Sequence, residues 1–299
     1  MAKKNYFYFI LIIISGFFLS GCGNTRFLAP GQELYTGAEI IIDAEEKIPN
    51  ESALQNELDN VLRPDPNTTI LGLRPNLWIY NIVGEPRKQT GGFRRWVRKN
   101  MGEAPVLLSE VSPQSNIRLL QNRLESNGYF DPELSFDIIR KNQRASVNYK
   151  IEINSPYLIK HVAFPKGDAA LEKSIRDISG KSLIKPGKPY NLEVFIEERR
   201  RIDEHLKNAG FFYFNPDFLI FRVDTTVGTR EVNVFVDLKR DMPNNGRRIY
   251  QFRNIYVDTD FSLDAVDAEL ALTDTIAIDG LFILSRTQDI DASVFQRTV

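Results

Sequence analysis

Apolar and polar positions follow two rhythms along this chain, and the change from one to the other recurs. From Leu192, the residues Phe195, Ile196, Ile202 and Leu206 keep helical spacing and are assigned inward, with Glu197, Glu198, Arg199, Arg200 and Lys207 assigned outward. Gly210 closes that helix in the corner Ala209-Gly210-Phe211-Phe212. Phe218–Val223 then reads as a strand, and Val232, Val234, Val236 and Leu238 alternate with polar neighbours. The same succession stands earlier. Ser112 and Pro113 open a helix as N-cap and first helical residue. Ile117, Leu120 and Leu124 form its buried stripe, and Asn127-Gly128-Tyr129-Phe130 its corner. Leu134–Ile139 is a strand, Lys141–Arg144 a polar turn, and Val147, Tyr149, Ile151 and Ile153 keep strict period two.

Gly128 and Gly210 stand 82 positions apart, and at that offset Leu120 meets Ile202, Leu124 meets Leu206, Phe136 meets Phe218 and Ile138 meets Ile220. Each copy is preceded by a strand and a first helix. In one copy these are Ala38–Asp43 and Ser52–Leu62, stopped by Arg63-Pro64-Asp65-Pro66; in the other they are Leu158–Phe164 and Gly167–Ser179. The predicted class is α+β: tandem β-α-α-β-β modules, each a small three-stranded mixed sheet with two helices on one face. Arg248–Val257 opens a third unit, with Thr275–Ile283 a further β-like run.

Thr68–Leu108 does not fit the repeat. It predicts short helices near Leu77–Ile82 and Phe93–Asn100 and holds both tryptophans. Arg94, Arg95, Trp96, Arg98 and Lys99 are a candidate contact with lipid head groups or a negatively charged partner. The competing reading is an ordinary amphipathic helix packed through Phe93, Trp96 and Val97.

At the N-terminus Lys3 and Lys4 precede the uncharged apolar run Tyr6–Leu19, shorter than the roughly 20 residues of a membrane span. Leu19-Ser20-Gly21-Cys22 follows, and Cys22 is the single cysteine of the 299 residues. This resembles a bacterial lipoprotein signal, which implies cleavage before Cys22 and acylation of it. Loss of the leader moves the net charge from −1 to −3, because Lys3 and Lys4 leave with it. Neither value points to nucleic acid.

The remaining chemistry is sparse. One cysteine and two histidines, His161 and His205, allow no disulfide and no Cys/His metal cluster. Gly180-Lys181-Ser182 lacks the earlier glycine of a phosphate loop, since Ile175 stands there. Glu45-Glu46 and Glu197-Glu198 are sequence neighbours and do not face each other on a helix. No cofactor, metal or catalytic residue is assigned.

A three-stranded sheet has two edges with unpaired N–H and C=O groups, able to accept an extended chain as an added strand. The candidate edge positions are Leu134, Phe136, Ile138, Phe218, Ile220 and Val223. The modules and their Gly-aromatic corners look like POTRA domains, the periplasmic modules of outer-membrane barrel-assembly proteins. Arg63-Pro64-Asp65-Pro66-Asn67, Ile70–Tyr80 and Gly102-Glu103-Ala104-Pro105-Val106-Leu107-Leu108 resemble TamL, the lipoprotein form of the BamA/TamA-like assembly factors typical of Bacteroidetes. The resemblance implies a signal peptide at 1–21, a tether at 22–36, and a first POTRA-like domain at 37–155 with an insertion at 63–110. A second domain covers 156–240, and an incomplete third begins at 248–299. It implies a non-enzymatic arm on the periplasmic side of the outer membrane. Its partners are unfolded outer-membrane clients, a periplasm-spanning inner-membrane partner and outer-membrane lipid through acylated Cys22. Family members end in a β-barrel, and no series of alternating strands of about ten residues follows Val257. The alternative is a lipid-anchored solute-binding protein or cell-envelope enzyme, which requires a deep pocket with convergent polar groups.

Overall fold

The computed structural model describes residues 24–85, 92–258, 274–278 and 280–285. The apolar leader and Cys22 lie outside them. The strands and α-helices run in the order β1 (Leu34–Ala44), α1 (Glu51–Asp59), α2 (Pro75–Val83), α3 (Phe93–Asn100), α4 (Pro113–Ser126), β2 (Glu133–Lys141), β3 (Arg144–Ile153), β4 (Leu158–Ala163), α5 (Ala170–Asp177), α6 (Leu192–Asn208), β5 (Leu219–Asp224), β6 (Glu231–Leu238), β7 (Ile255–Asp258), β8 (Asp274–Ile278) and β9 (Leu281–Ser285). They form three sheets of three strands each, with orders β1-β3-β2, β4-β6-β5 and β7-β9-β8. In the first, β1 runs parallel and β2 antiparallel to the central β3. β4 runs parallel to β6, and the third sheet repeats the first with β7 parallel and β8 antiparallel to β9. The fold is α+β with tandem three-stranded mixed sheets, as the alternation predicts. The run Thr275–Ile283 is not one strand: it turns at Gly280, whose φ is +86°.

By compactness the chain divides into two units. One comprises Met1–Ala163, Leu183–Glu198 and Phe221–Phe235, the other Phe164–Ser182, Arg199–Ile220 and Val236–Val299.

In the first unit, Val147, Tyr149, Ile151 and Ile153 of β3 and Ile40 of β1 face Leu54 and Leu58 of α1 and Leu120 and Leu124 of α4. Each fully buried side chain of this kind contributes roughly 1.5–3 kcal/mol. Both helices therefore cover one sheet face. The exception in this apolar layer is Asn116, which is buried where the helical spacing pointed to Ile117. Asn116 Nδ2 donates to the Tyr149 hydroxyl at 2.9 Å and to the Arg63 carbonyl at 2.8 Å, and Asn116 Oδ1 accepts from the Arg63 amide at 3.0 Å. Ser112 does not cap the helix through its side chain: its hydroxyl donates to Ser115 Oγ at 2.9 Å.

The same unit holds a second core of Ile159, Ile184, Phe195, Val232 and Val234, with Phe130, Tyr190 and Phe221 packed on it. Phe130 meets Tyr157 and Tyr190 edge-on at 5.0 Å each. On α6 the predicted faces need correction. Phe195, Ile202 and Leu206 are buried, but Leu192 and Ile196 are exposed, and Glu198 is fully buried with its Oε2 accepting from the Leu183 amide at 2.9 Å. His205 is half-buried with Nε2 3.1 Å from Ser174 Oγ.

The 82-residue offset holds through the corners and fails beyond them. The short 3-10 turn Pro216–Phe218 intervenes, so β5 begins at Leu219. The inward residues of β2 are Leu134, Phe136 and Ile138, and those of β5 are Leu219, Phe221 and Val223, an offset of 85. Val147 and Tyr149 of β3 correspond to Val232 and Val234 of β6 at that same offset. An odd slip reverses every side chain. Phe218 thus stands outside the strand, and Ile220 faces outward where Ile138 faces inward.

Each corner glycine has a positive φ, +88° at Gly128 and +90° at Gly210, and ends its helix with the next amide bonding back five residues. Its carbonyl also receives a tyrosine amide: Tyr157 donates to Gly128 at 2.9 Å and Tyr250 to Gly210 at 2.7 Å. The Gly-aromatic corner is thus where the chain leading to each following sheet attaches.

Candidate functional site: the sheet edges

Strand order puts β1 and β2 at the edges of the first sheet and β4 and β5 at the edges of the second. These edges are not equivalent. The start of β1 is already paired, because Tyr35 N–H donates to the Val106 carbonyl at 2.8 Å and Leu108 N–H to the Glu33 carbonyl at 2.9 Å. β1 begins at Leu34 and not at Ala38, because Leu34 and Tyr35 also pair in register with Arg144 and Ala145 of β3. Asn67 holds the segment in place: Nδ2 donates to the Ala104 carbonyl at 2.7 Å and Oδ1 accepts from the Val106 amide at 3.0 Å. Tyr35 is buried at this junction, and burial, with Tyr149 and Asp65 nearby, pushes its phenol up to about 12.

β4 is covered in the same manner. Ile159 N–H donates to the Lys188 carbonyl at 2.9 Å, Gly187 N–H to the Ile159 carbonyl at 2.7 Å, and Tyr190 N–H to the Tyr157 carbonyl at 2.8 Å. A different loop thus blunts the corresponding edge of each of these two sheets.

β2 has no such cover. Among the described residues, no main-chain hydrogen bond reaches Glu133–Lys141 apart from the pairing with β3. The register fixes which groups point outward. Asn142 and Gln143 form a two-residue turn with φ of 52° and 55°, which makes Lys141 and Arg144 a hydrogen-bonded pair. The register is unbroken, so Ile139, Asp137, Ser135 and Glu133 are hydrogen-bonded to β3, and the amides and carbonyls of Arg140, Ile138, Phe136 and Leu134 point to the open side. Leu134, Phe136 and Ile138 carry half-buried side chains on the core face, leaving apolar surface for an added strand to cover. A cleft of ≈ 400 Å³ lies at one end of this edge, lined by Glu33, Leu108, Val111, Pro113, Ile138 and Arg140. The opposite sheet face is polar: Lys150 Nζ meets Asp137 Oδ2 at 2.7 Å, which raises the Lys150 pKa.

β5 is shorter, and Arg199 Nη2 donates to the Leu219 carbonyl at 3.3 Å. Of the edge positions read from the sequence, Leu134, Phe136 and Ile138 therefore form one continuous open ladder. Ile220 and Val223 lie on β5, and Phe218 does not lie on a strand. The bonds that cover β1 and β4 could not be read from periodicity, because the covering segments are irregular.

The basic-aromatic segment forms the predicted helix α3, and Arg98 is its inward residue, with Nη1 donating to the Gly84 carbonyl at 2.7 Å and the guanidinium 4.0 Å over the Tyr80 ring. Among the described residues, no group of three or more His, Cys, Asp or Glu is placed to hold a metal, and no helix is long and apolar enough to cross a membrane.

No family model and no curated protein matches the chain. Solved structures with some likeness include POTRA domains 3–5 of BamA from Haemophilus influenzae, at 10% identity and a TM-score of 0.38, covering 80% of this chain and 77% of that one. POTRA domains 1–3 of Omp85 from Anabaena align at 14% identity and 0.33, covering 91% and 77%. The N-terminal domain of Omp85 from Thermosynechococcus elongatus aligns at 9% and 0.31, covering 77% and 69%. At these scores the fold rests on the strand orders themselves.

Proposed function

We propose that this chain is the lipid-anchored periplasmic arm of an outer-membrane protein assembly factor of the TamL kind, built from POTRA-like domains at 37–155 and 156–240 and the start of a third, incomplete one at 248–299. It binds unfolded outer-membrane clients as added strands and is held to outer-membrane lipid by acylated Cys22. The observation that supports this reading best is the asymmetry of the first sheet, in which the β1 side is paired by Val106–Leu108 and the β2 side is open. Main-chain pairing supplies affinity with little sequence preference, which suits a handler of many β-rich chains. An inner-membrane partner spanning the periplasm belongs to the same reading.

Ile138→Pro removes one outward amide and no bond to β3, while Asp137→Pro removes a ladder bond. With an unfolded outer-membrane barrel polypeptide as probe, Ile138→Pro is expected to keep the circular dichroism of the parent and lose binding roughly tenfold. Unchanged binding by folded Ile138→Pro contradicts the edge mechanism.

A further inference from the structure

The inserted segment buries Leu77 but turns several large apolar side chains outward. Ile70 and Leu73 close a tight turn, with Ile70 N–H donating to the Leu73 carbonyl at 2.8 Å and Leu73 N–H to the Ile70 carbonyl at 2.9 Å. At its tip Leu71 has a φ of 50° and is 92% exposed. Leucine rarely adopts that conformation, for which Asn or Gly is better suited. On α3, Phe93 and Trp96 stack at 6.2 Å and are 78% and 56% exposed. Helical spacing puts Phe93, Trp96 and Val97 on one side and Arg94, Arg95, Arg98 and Lys99 on the other. A helix of a water-soluble domain packs through its apolar side; on α3 only Val97 of that side is half-buried, and Arg98 makes the polar contact with α2, against Tyr80 and Gly84. Trp78 and Ile82, one turn apart on α2, are exposed as well. Arg94, Arg95 and Lys99 have no carboxylate partner among the described residues.

From these features we infer that the inserted segment, through residues 70–85 and 92–101, is a seat on an anionic lipid bilayer, with Leu71, Phe93 and Trp96 entering the acyl boundary and Arg94, Arg95 and Lys99 meeting the head groups. Aromatic residues with flanking cations are the composition of a helix lying in that interface. The chain path agrees: Asn24 Nδ2 donates to the Arg74 carbonyl at 3.5 Å, at the start of α2. Cys22 is two residues before Asn24, within about 7 Å of chain. This last step rests on the lipid-anchored reading; the exposed patch does not.

Trp78 and Trp96 are the only tryptophans, so tryptophan emission, excited selectively over the eleven tyrosines, reports this segment alone. The full chain, purified from the envelope of its producing cell, is reconstituted into vesicles of phosphatidylglycerol and phosphatidylcholine with or without brominated acyl chains. Mass spectrometry determines acylation separately. Bromine is expected to lower the emission roughly twofold, and Phe93→Glu combined with Leu71→Asn to abolish most of that loss. Leu71→Asn suits the turn, so the fold survives it. Quenching without acylation supports the seat and refutes the anchor. An acylated chain with unquenched tryptophans overturns the seat, as does self-association or a protein partner that shields the tryptophans without lipid.

Discussion

The Tyr35 amide donates to the Val106 carbonyl at 2.8 Å, and this bond closes one side of the first sheet. It depends on Asn67, whose side-chain amide binds both Ala104 and Val106. Asn67→Ala removes the side-chain partners of the Ala104 carbonyl and the half-buried Val106 amide, at a cost of about 0.5–1.5 kcal/mol each. We expect a lower urea midpoint and faster hydrogen exchange at Tyr35, with the α4 amides slowed as in the parent.

Alkaline titration reaches the same junction. The Tyr35 phenol is raised from 10.0 to about 12, and burial also raises Tyr149, with the Asn116 bond opposing. A raised phenol favours the fold fully below pH 10, and that contribution is lost as pH climbs towards 12. The urea midpoint should fall between pH 10 and 12, and Tyr35→Phe should flatten that fall.

The corner glycines make a paired prediction. A Cβ at Gly128 would stand 2.8 Å from the Tyr190 carbonyl oxygen, and one at Gly210 2.9 Å from the Tyr250 carbonyl oxygen. Both also require a positive φ. Gly128→Ala and Gly210→Ala should each lower stability by roughly 1–3 kcal/mol in denaturant unfolding, more than the cost of a positive φ alone.

Asn116 is the polar element of the first core. Asn116→Ala strands the Tyr149 hydroxyl and both main-chain groups of Arg63, and should cost about 2–4 kcal/mol. Ile117→Ala, at a half-buried position, should cost less. Equal losses would remove the network from the account.

Strand alternation and Gly corners made the β-α-α-β-β order and the strand classes readable in advance. What escaped was whatever periodicity does not encode. Phe136 and Phe218 share an offset in sequence, but Pro216–Phe218 is a 3-10 turn, and the three residues gained there change the strand register. Glu198 looked solvated because glutamate is usually exposed, yet a loop amide from Leu183 satisfies it inside. Leu192 and Ile196 looked buried by spacing and instead line an open groove of ≈ 430 Å³ with Leu119. The open edge itself was only half readable: β2 stands at the edge by topology, but the covering of β1 by Val106–Leu108 comes from an irregular segment.

Residue-resolved amide exchange of the chain, alone and with an unfolded outer-membrane barrel polypeptide, addresses the edge mechanism most directly. Alone, Leu134, Phe136, Ile138 and Arg140 should exchange faster than Ser135, Asp137 and Ile139. With the polypeptide, those four alternating amides should slow by about tenfold or more. Protection confined to β1 or β4, or no change along β2, contradicts strand addition at this edge.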